Sequence, residues 1–480
     1  MSIKTAQQYM ERTKKLSPKV FLDGKRITDV TGSPTLKSVI DATARSFEVA
    51  ADPKNVDVLT AVSSITGAKI NRALHINRSP ADLSQRVEMS VLMGHELGTC
   101  HYRCGGSGLI NSLAATTWEM DQKLGTNYRK RFDDYLRYLE ENDLVLSVGS
   151  NSPKGVRTKR PLEQDDPDLS LRMVKKTSDG IMVRGAKFHQ TGAPTAEEHL
   201  VTAGINLFPG EEDYALSFAV PNGTKGLTYI CQHNPFTAER ETAGDTKYIG
   251  NPRYGQRELA MVIFDDVFVP WERVFMCGEV EFTTPLRARQ SAIHSMFESA
   301  CKASWLDLMI GATQLCAEYS GLENAPLLQM DIAHMIKVRE ISYAIPVAAA
   351  HRAKESPVGS GIYFPDDMFC RVGKAYSSYG FWEAIEKSAN VTGALLVDMP
   401  SERELQNPET RHYVEKYARA AGGAPERLRM FKFLQHWLCG LHGPSTWIGG
   451  GVPNSALMAA YNMTDFAEKK RLALNLANGK

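Results

Sequence analysis

The sequence predicts an α+β chain in three consecutive parts: an N-terminal helical domain over 1–146, an antiparallel β domain over 147–284 and a C-terminal helical bundle over 285–480. Three observations predict that order. Apolar residues recur three and four apart in the first part, short alternating runs replace them near residue 150, and helical spacing returns after about residue 285. In the first part SVIDATARSFEVAAD, ADLSQRVEMSVLMGHELG and NYRKRFDDYLRYLEENDL read as amphipathic helices with little Gly or Pro inside. VRTKRPLEQDDPDLS reads as a solvated connecting loop. LRMVKKTSDGIMVRGAKFH, HLVTAGINLF, YALSFAVP, LTYICQH and LAMVIFDDVFVP then read as strands, with SDG and PNG marking tight turns between neighbours. FESACKASWLDLMIGATQLCAEYSG and DIAHMIKVREISYAIPVAAAHRAKE return to helix.

A chain of 480 residues with 43% hydrophobic content can bury a large core. Its 56 basic and 55 acidic residues leave a formal charge of +1, which argues against nucleic acid or an anionic membrane as the main partner and favours a small molecule. The opening MSIKTAQQYMERTKK has no apolar core of the signal-peptide kind, and no later run approaches membrane-spanning length, so the expected location is cytoplasmic. Eight cysteines are then expected to stay as thiols unless they hold a metal.

Four soft ligands stand out in two pairs: Cys100 and Cys104 in GTCHYRCGG, and His294 and Cys301 in IHSMFESACK. Both segments read as helical, so spacings of four and seven put each pair on one helix face. Three thiolates and an imidazole can close around one metal centre, iron–sulfur or zinc. The plain alternative is four ordinary buried side chains, since cysteine often serves as a small apolar residue.

Further segments carry a family resemblance. NSPKGVR (151–157), GAKFHQTGAP (185–194), FDDVFVPWERVF (264–275) and VTGALLVDMPSE (391–402) resemble the flavin framework of the 4-hydroxyphenylacetate 3-monooxygenase and 4-hydroxybutyryl-CoA dehydratase superfamily. That superfamily has the acyl-CoA dehydrogenase-like fold, in which a flavin lies between the β domain and the C-terminal helices. The cysteine and histidine set, with ITGAKINRALHI and KLGTNYRKRF, resembles the dehydratase branch across essentially the whole chain.

The resemblance implies FAD and a [4Fe–4S] cluster held by Cys100, Cys104, His294 and Cys301, in a dehydratase or double-bond isomerase of a hydroxyacyl substrate. A γ-hydroxyl cannot leave by simple acid–base chemistry, because no carbonyl acidifies the β-hydrogen. The implied route removes the α proton, lends one electron to the flavin and takes it back, so the net reaction is redox-neutral. His294 is then cluster ligand and base, or ligand alone; Glu258 a proton carrier, or a solvated strand-end carboxylate; Lys302 an enolate stabiliser, or a counter-charge to the cluster. Asn151, Lys154, Arg157, His189, Gln190, Thr191, Thr392, Gly393 and Ala394 match the flavin contacts, and several would otherwise be turn or surface residues. The likeness also implies a homotetramer. A flavin-dependent phenol monooxygenase fed with reduced flavin is the competing reading, and a zinc-stabilised scaffold the third.

Two features depart from the branch. Glu298 stands where the related dehydratases have a tyrosine four residues after the ligand histidine, one turn from His294, where it can orient or protonate the imidazole. The C-terminal segment LCGLHGPSTWIGGGVPNSALMAAY has no glutamate between Cys439 and Tyr461, whereas the family carries a catalytic one there.

Overall fold

Ser79 and Gly98 show how closely local chemistry sets the helix ends. In the computed structural model, which describes residues 3–477 except 246, 248 and 449–451, the Ser79 hydroxyl accepts from the Asp82 amide at 3.2 Å. Pro80 follows at the first helical position, and Gly98 ends the helix in the left-handed region at φ 58°. The helices of the first part are α1 (Ala6–Thr13), α2 (Pro34–Ala51), α3 (Val56–Leu59), α4 (Pro80–Leu97), α5 (Cys104–Leu124) and α6 (Tyr128–Asn142). The three helical segments expected there correspond to α2, α4 and α6.

Two sheets follow. One has the order β2-β1-β10-β11-β7-β6 and the other β12-β9-β8-β5. Their strands are β1 (Val20–Leu22), β2 (Lys25–Ile27), β5 (Leu146–Gly149), β6 (Arg172–Lys176), β7 (Gly180–Thr191), β8 (Glu198–Thr202), β9 (Leu216–Pro221), β10 (Leu227–Cys231), β11 (Leu259–Pro270) and β12 (Val274–Cys277); β3 (Thr60–Val62) and β4 (Lys69–Asn71) form a separate hairpin. Val183 and Phe264 from the larger sheet meet Val201 and Phe218 from the smaller, with Phe47 of α2 completing the cluster.

Three details differ from the sequence reading. β1 and β2 lie in the helical first part yet join the larger sheet, and at three residues each they are too short for an alternating period to register. The pairs β1–β10 and β5–β8 run parallel, as strands separated by long crossovers can and hairpin partners cannot. SDG does turn β6 into β7, with the Thr177 amide donating to Gly180 O at 2.9 Å, but PNG links strands of different sheets, β9 and β10.

The last part is built on α8 (Thr283–Tyr319), α9 (Pro326–His351) and α10 (Asp367–Thr392), preceded by α7 (Pro235–Thr242) and followed by α11 (Leu395–Asp398), α12 (Arg411–Tyr417), α13 (Ala424–Leu438) and three further helices. Met309, Met335, Val338 and Phe381 share the core of this bundle. The Gly449–Gly451 stretch of the C-terminal segment lies outside the described residues. Among the described residues no helix is long and apolar enough to cross a membrane.

α4 crosses α8 at Gly94, where an added Cβ would lie 1.8 Å from Ser304 Oγ and 2.7 Å from its Cβ. Gly94→Ala therefore forces the helices apart and should cost about 1–3 kcal/mol, read as a lower urea midpoint. An unchanged midpoint would mean that the crossing is looser than this contact implies.

Candidate active site

Four elements meet at one place: the turn between α4 and α5, the first half of α8, the C-terminal end of β7 and the segment leading into β11. GTCHYRCGG is not helical throughout. Gly98 stops α4, Tyr102 adopts φ 59°, and helix resumes only at Cys104, so Cys100 sits in a turn and not on the α5 face. The thiols meet all the same. Cys100 and Cys104 share a side-chain hydrogen bond, and Cys100 Sγ also accepts from the Tyr102 amide at 3.3 Å. That bond and nearby Arg257 hold the Cys100 thiol down to about 7, while Cys104 is pushed up by the same bond and by burial.

Cys301, on α8, lies near enough to both thiols to act on them electrostatically, and burial pushes its own thiol up to about 12. His294 precedes it by two turns of the same helix. All four donors keep partial exposure between neighbours as buried as Ile293, Met296 and Ala300. Among the described residues no three His, Cys, Asp or Glu side chains crowd around one point as a single ion requires.

His294 Nδ1 lies 3.8 Å from Glu298 Oε2, as the one-turn spacing predicts. Burial lowers the imidazole pKa against the pull of Glu298, leaving it neutral near pH 7. Glu298 forms a tight pair with Lys374 of α10. Burial works to raise its pKa, but Lys374 and His294 hold it below the ordinary value. Glu298 is thereby kept ionised, which suits it to orienting the imidazole; the expected role of protonating it is not supported. Lys302 donates to Ser378 Oγ at 2.8 Å, and burial followed by repulsion from Lys374 lowers it to about 7.

Glu258 is buried, contrary to its solvated alternative. Its carboxylate accepts from Gln232 Nε2 at 3.1 Å and Thr237 Oγ1 at 3.2 Å, while its amide donates to Tyr102 Oη at 3.2 Å. Burial lifts it from 4.5 to about 7. The folded chain therefore holds this proton up to about pH 7, whereas the unfolded chain releases it near 4.5. Stability attributable to the group falls as pH rises through that window, by roughly 3 kcal/mol. Glu258→Gln should flatten the profile between pH 5 and 7.5 in urea titrations, and an unaltered slope would contradict the assignment.

The flavin-framework residues assemble in part. The Phe188 amide donates to Asn151 O at 2.7 Å and fastens the 151–157 loop to β7, at whose end His189 has φ 58°. Burial, Lys154 and Arg257 lower the His189 pKa, so loop, strand end and donor turn share one electrostatic neighbourhood. Gln190 pairs with Ala260 in the sheet and points a buried Oε1 with no partner, Thr191 pairs with Leu259, and Arg157 is exposed on the loop. Thr392, Gly393 and Ala394 are elsewhere. They lie at the far end of α10, fourteen residues beyond Ser378 and roughly 21 Å along the axis.

Sequence reasoning missed Tyr102, Arg257 and Lys374. Tyr102 lay inside the cysteine motif and was a possible signal, because its phenol joins the donor turn to the Glu258 segment. Lys374 and Arg257 carry no spacing signal; only tertiary packing reveals them.

Known proteins bear on this arrangement. The profile described as 4-hydroxyphenylacetate 3-hydroxylase N terminal matches residues 5–276, and its C-terminal counterpart matches 284–478. The chain is 33% identical over 490 residues to the 4-hydroxybutyryl-CoA dehydratase/vinylacetyl-CoA-Delta-isomerase of Clostridium aminobutyricum, covering 99% of each. It superposes with a TM-score of 0.95 and 32% identity on an oxygen-tolerant archaeal 4-hydroxybutyryl-CoA dehydratase from N. maritimus, covering 99% of this chain and 95% of that one. The oxygenase component of 4-hydroxyphenylacetate 3-monooxygenase, solved in complex with FAD, gives a TM-score of 0.85 at 25% identity over 99% of both chains. With both family profiles and a whole-length relative in agreement, the chain belongs to the 4-hydroxyphenylacetate 3-hydroxylase family, in the branch that contains 4-hydroxybutyryl-CoA dehydratase.

Proposed function

We propose that this protein is a dehydratase and double-bond isomerase of a hydroxyacyl thioester, with 4-hydroxybutyryl-CoA as the compound to test, and that it uses FAD and a [4Fe–4S] cluster. One observation carries the reading: Cys100, Cys104 and Cys301 converge from two distant segments, with His294 on the face of α8 that bears Cys301. Those donors suit a cluster, and the buried, unpartnered Gln190 Oε1 near the end of β7 suits a flavin edge. When bound, the flavin supplies a one-electron acceptor and donor, and the cluster an iron able to draw off hydroxide.

The chain's own groups divide the remaining work. His294, neutral and oriented by Glu298, is poised to take a proton at Nδ1 or Nε2. Lys302 balances the negative charge of the donor set from within the α8–α10 interface. Glu258, titrating near pH 7, exchanges protons on the other side of Tyr102. Asn151, Lys154, Arg157, His189, Gln190 and Thr191 hold the cofactor within the chain. Thr392, Gly393 and Ala394 would reach a cofactor bound by another copy. The exposed Leu327 and Met330 of α9 fit such an assembly, read here as a cytoplasmic homotetramer.

Anaerobic incubation with 4-hydroxybutyryl-CoA tests the activity. The expected result is loss of water and migration of the double bond of vinylacetyl-CoA, without oxygen or an added reductant. Inert thioesters, together with oxygen-dependent hydroxylation of a phenol when reduced flavin is supplied, would establish the monooxygenase instead.

A further inference from the structure

Three cations surround the donor set, and two of them are committed. Lys374 pairs with Glu298, and Lys302 donates to Ser378. Arg257 differs: among the described residues its guanidinium forms no hydrogen bond or ion pair, and its Nε is buried without an acceptor. The backbone around it is fixed. Arg257 O accepts from Gln232 Nε2 at 2.8 Å, Gln256 O from Tyr102 Oη at 3.3 Å, and the Glu258 amide donates to the same phenol at 3.2 Å. Since Tyr102 belongs to the cysteine turn, these bonds carry the guanidinium to the boundary between donor set and flavin framework. Its charge is felt there by Cys100, Cys104, His294 and Lys302 on one side and His189 on the other.

A rigid fork of donors left unpaired in a partly buried site is costly, and the cost is relieved when an oxygen acceptor enters. An acyl group lying between flavin and cluster brings one acceptor, its carbonyl oxygen. We propose that Arg257 binds the carbonyl oxygen of the substrate thioester, an assignment that rests on the dehydratase reading above. Two N–H groups directed at that oxygen withdraw electron density from the α carbon and make its C–H more acidic. The positive charge is in place before the substrate arrives, so no reorganisation is needed as the oxygen gains electron density.

The test uses butyryl-CoA carrying ¹³C at the carbonyl, which has no hydroxyl to lose, with anaerobically purified wild type, Arg257→Gln and Arg257→Lys. In the wild type the bound carbonyl stretch should fall below that of the free thioester. In Arg257→Gln the band should return to the free position and affinity should drop about ten- to hundredfold. Arg257→Lys keeps the charge without the fork and should give a smaller band shift than wild type, which protects the test if the glutamine variant folds poorly. Flavin and iron contents should match in all three. A band shift that survives in Arg257→Gln overturns the assignment alone, and so does loss of affinity that tracks loss of flavin or iron, which would mark Arg257 as a cofactor anchor. Wild-type protein that binds no acyl-CoA overturns the dehydratase reading and this assignment together.

Discussion

Cys301→Ser should yield a folded flavoprotein that has lost its iron and roughly 10³-fold of its dehydration rate. Serine nearly matches cysteine in size, so the hydrogen-bonded contact of this side chain with Ser90 of α4 should survive. Its hydroxyl remains protonated and replaces a soft thiolate with a poor donor for iron. A Lewis-acid contribution of several kcal/mol corresponds to a rate loss of that order. Cys301 is the informative position because it bridges from α8 to both thiols of the turn, so its loss opens the set from the opposite side. Iron and sulfide assays, flavin absorbance and a thermal melt on the same preparation separate loss of cluster from loss of fold. Full iron content in Cys301→Ser would remove this cysteine from the ligand set.

Lys374→Met should destabilise the fold by about 3–5 kcal/mol, because it leaves the Glu298 carboxylate buried without its partner. The Lys374 side chain is 2% exposed and that of Glu298 12%, so water cannot replace the lost contact cheaply. The double variant Glu298→Gln/Lys374→Met should recover much of the loss, since the uncompensated charge is gone. Urea titration of both variants reads the difference directly. A loss below about 1 kcal/mol for Lys374→Met would mean that the pair is solvent-screened like an ordinary surface bridge. The double variant also has a catalytic reading: with no carboxylate 3.8 Å from Nδ1, the His294 ring loses its orienting partner, and turnover should remain impaired even where stability returns.

The order of helices and sheets was legible because α2, α4, α6, α8 and α9 are long enough for their apolar spacing to repeat, and β7 and β11 long enough for alternation to show. β1 and β2 were not, at three residues each, since their place in the sheet depends on β10 far along the chain. The PNG turn misled for a related reason: a tight turn fixes local direction but not which sheet receives the next strand. In the site, His294, Glu298 and Cys301 were readable from helical periodicity. Cys100 was not, because Gly98 ends α4 before it and the positive φ of Tyr102 lies between it and Cys104. The partners of Glu298 and Glu258, and the isolation of Arg257, are set by elements brought together only in the folded chain.

Anaerobic purification, with iron, acid-labile sulfide and flavin measured on one sample, decides whether these donors hold a cluster. The expected result is bound FAD with about four iron and four sulfide per chain, as a [4Fe–4S] centre requires. Zinc without iron, or flavin with neither iron nor sulfide, would contradict it.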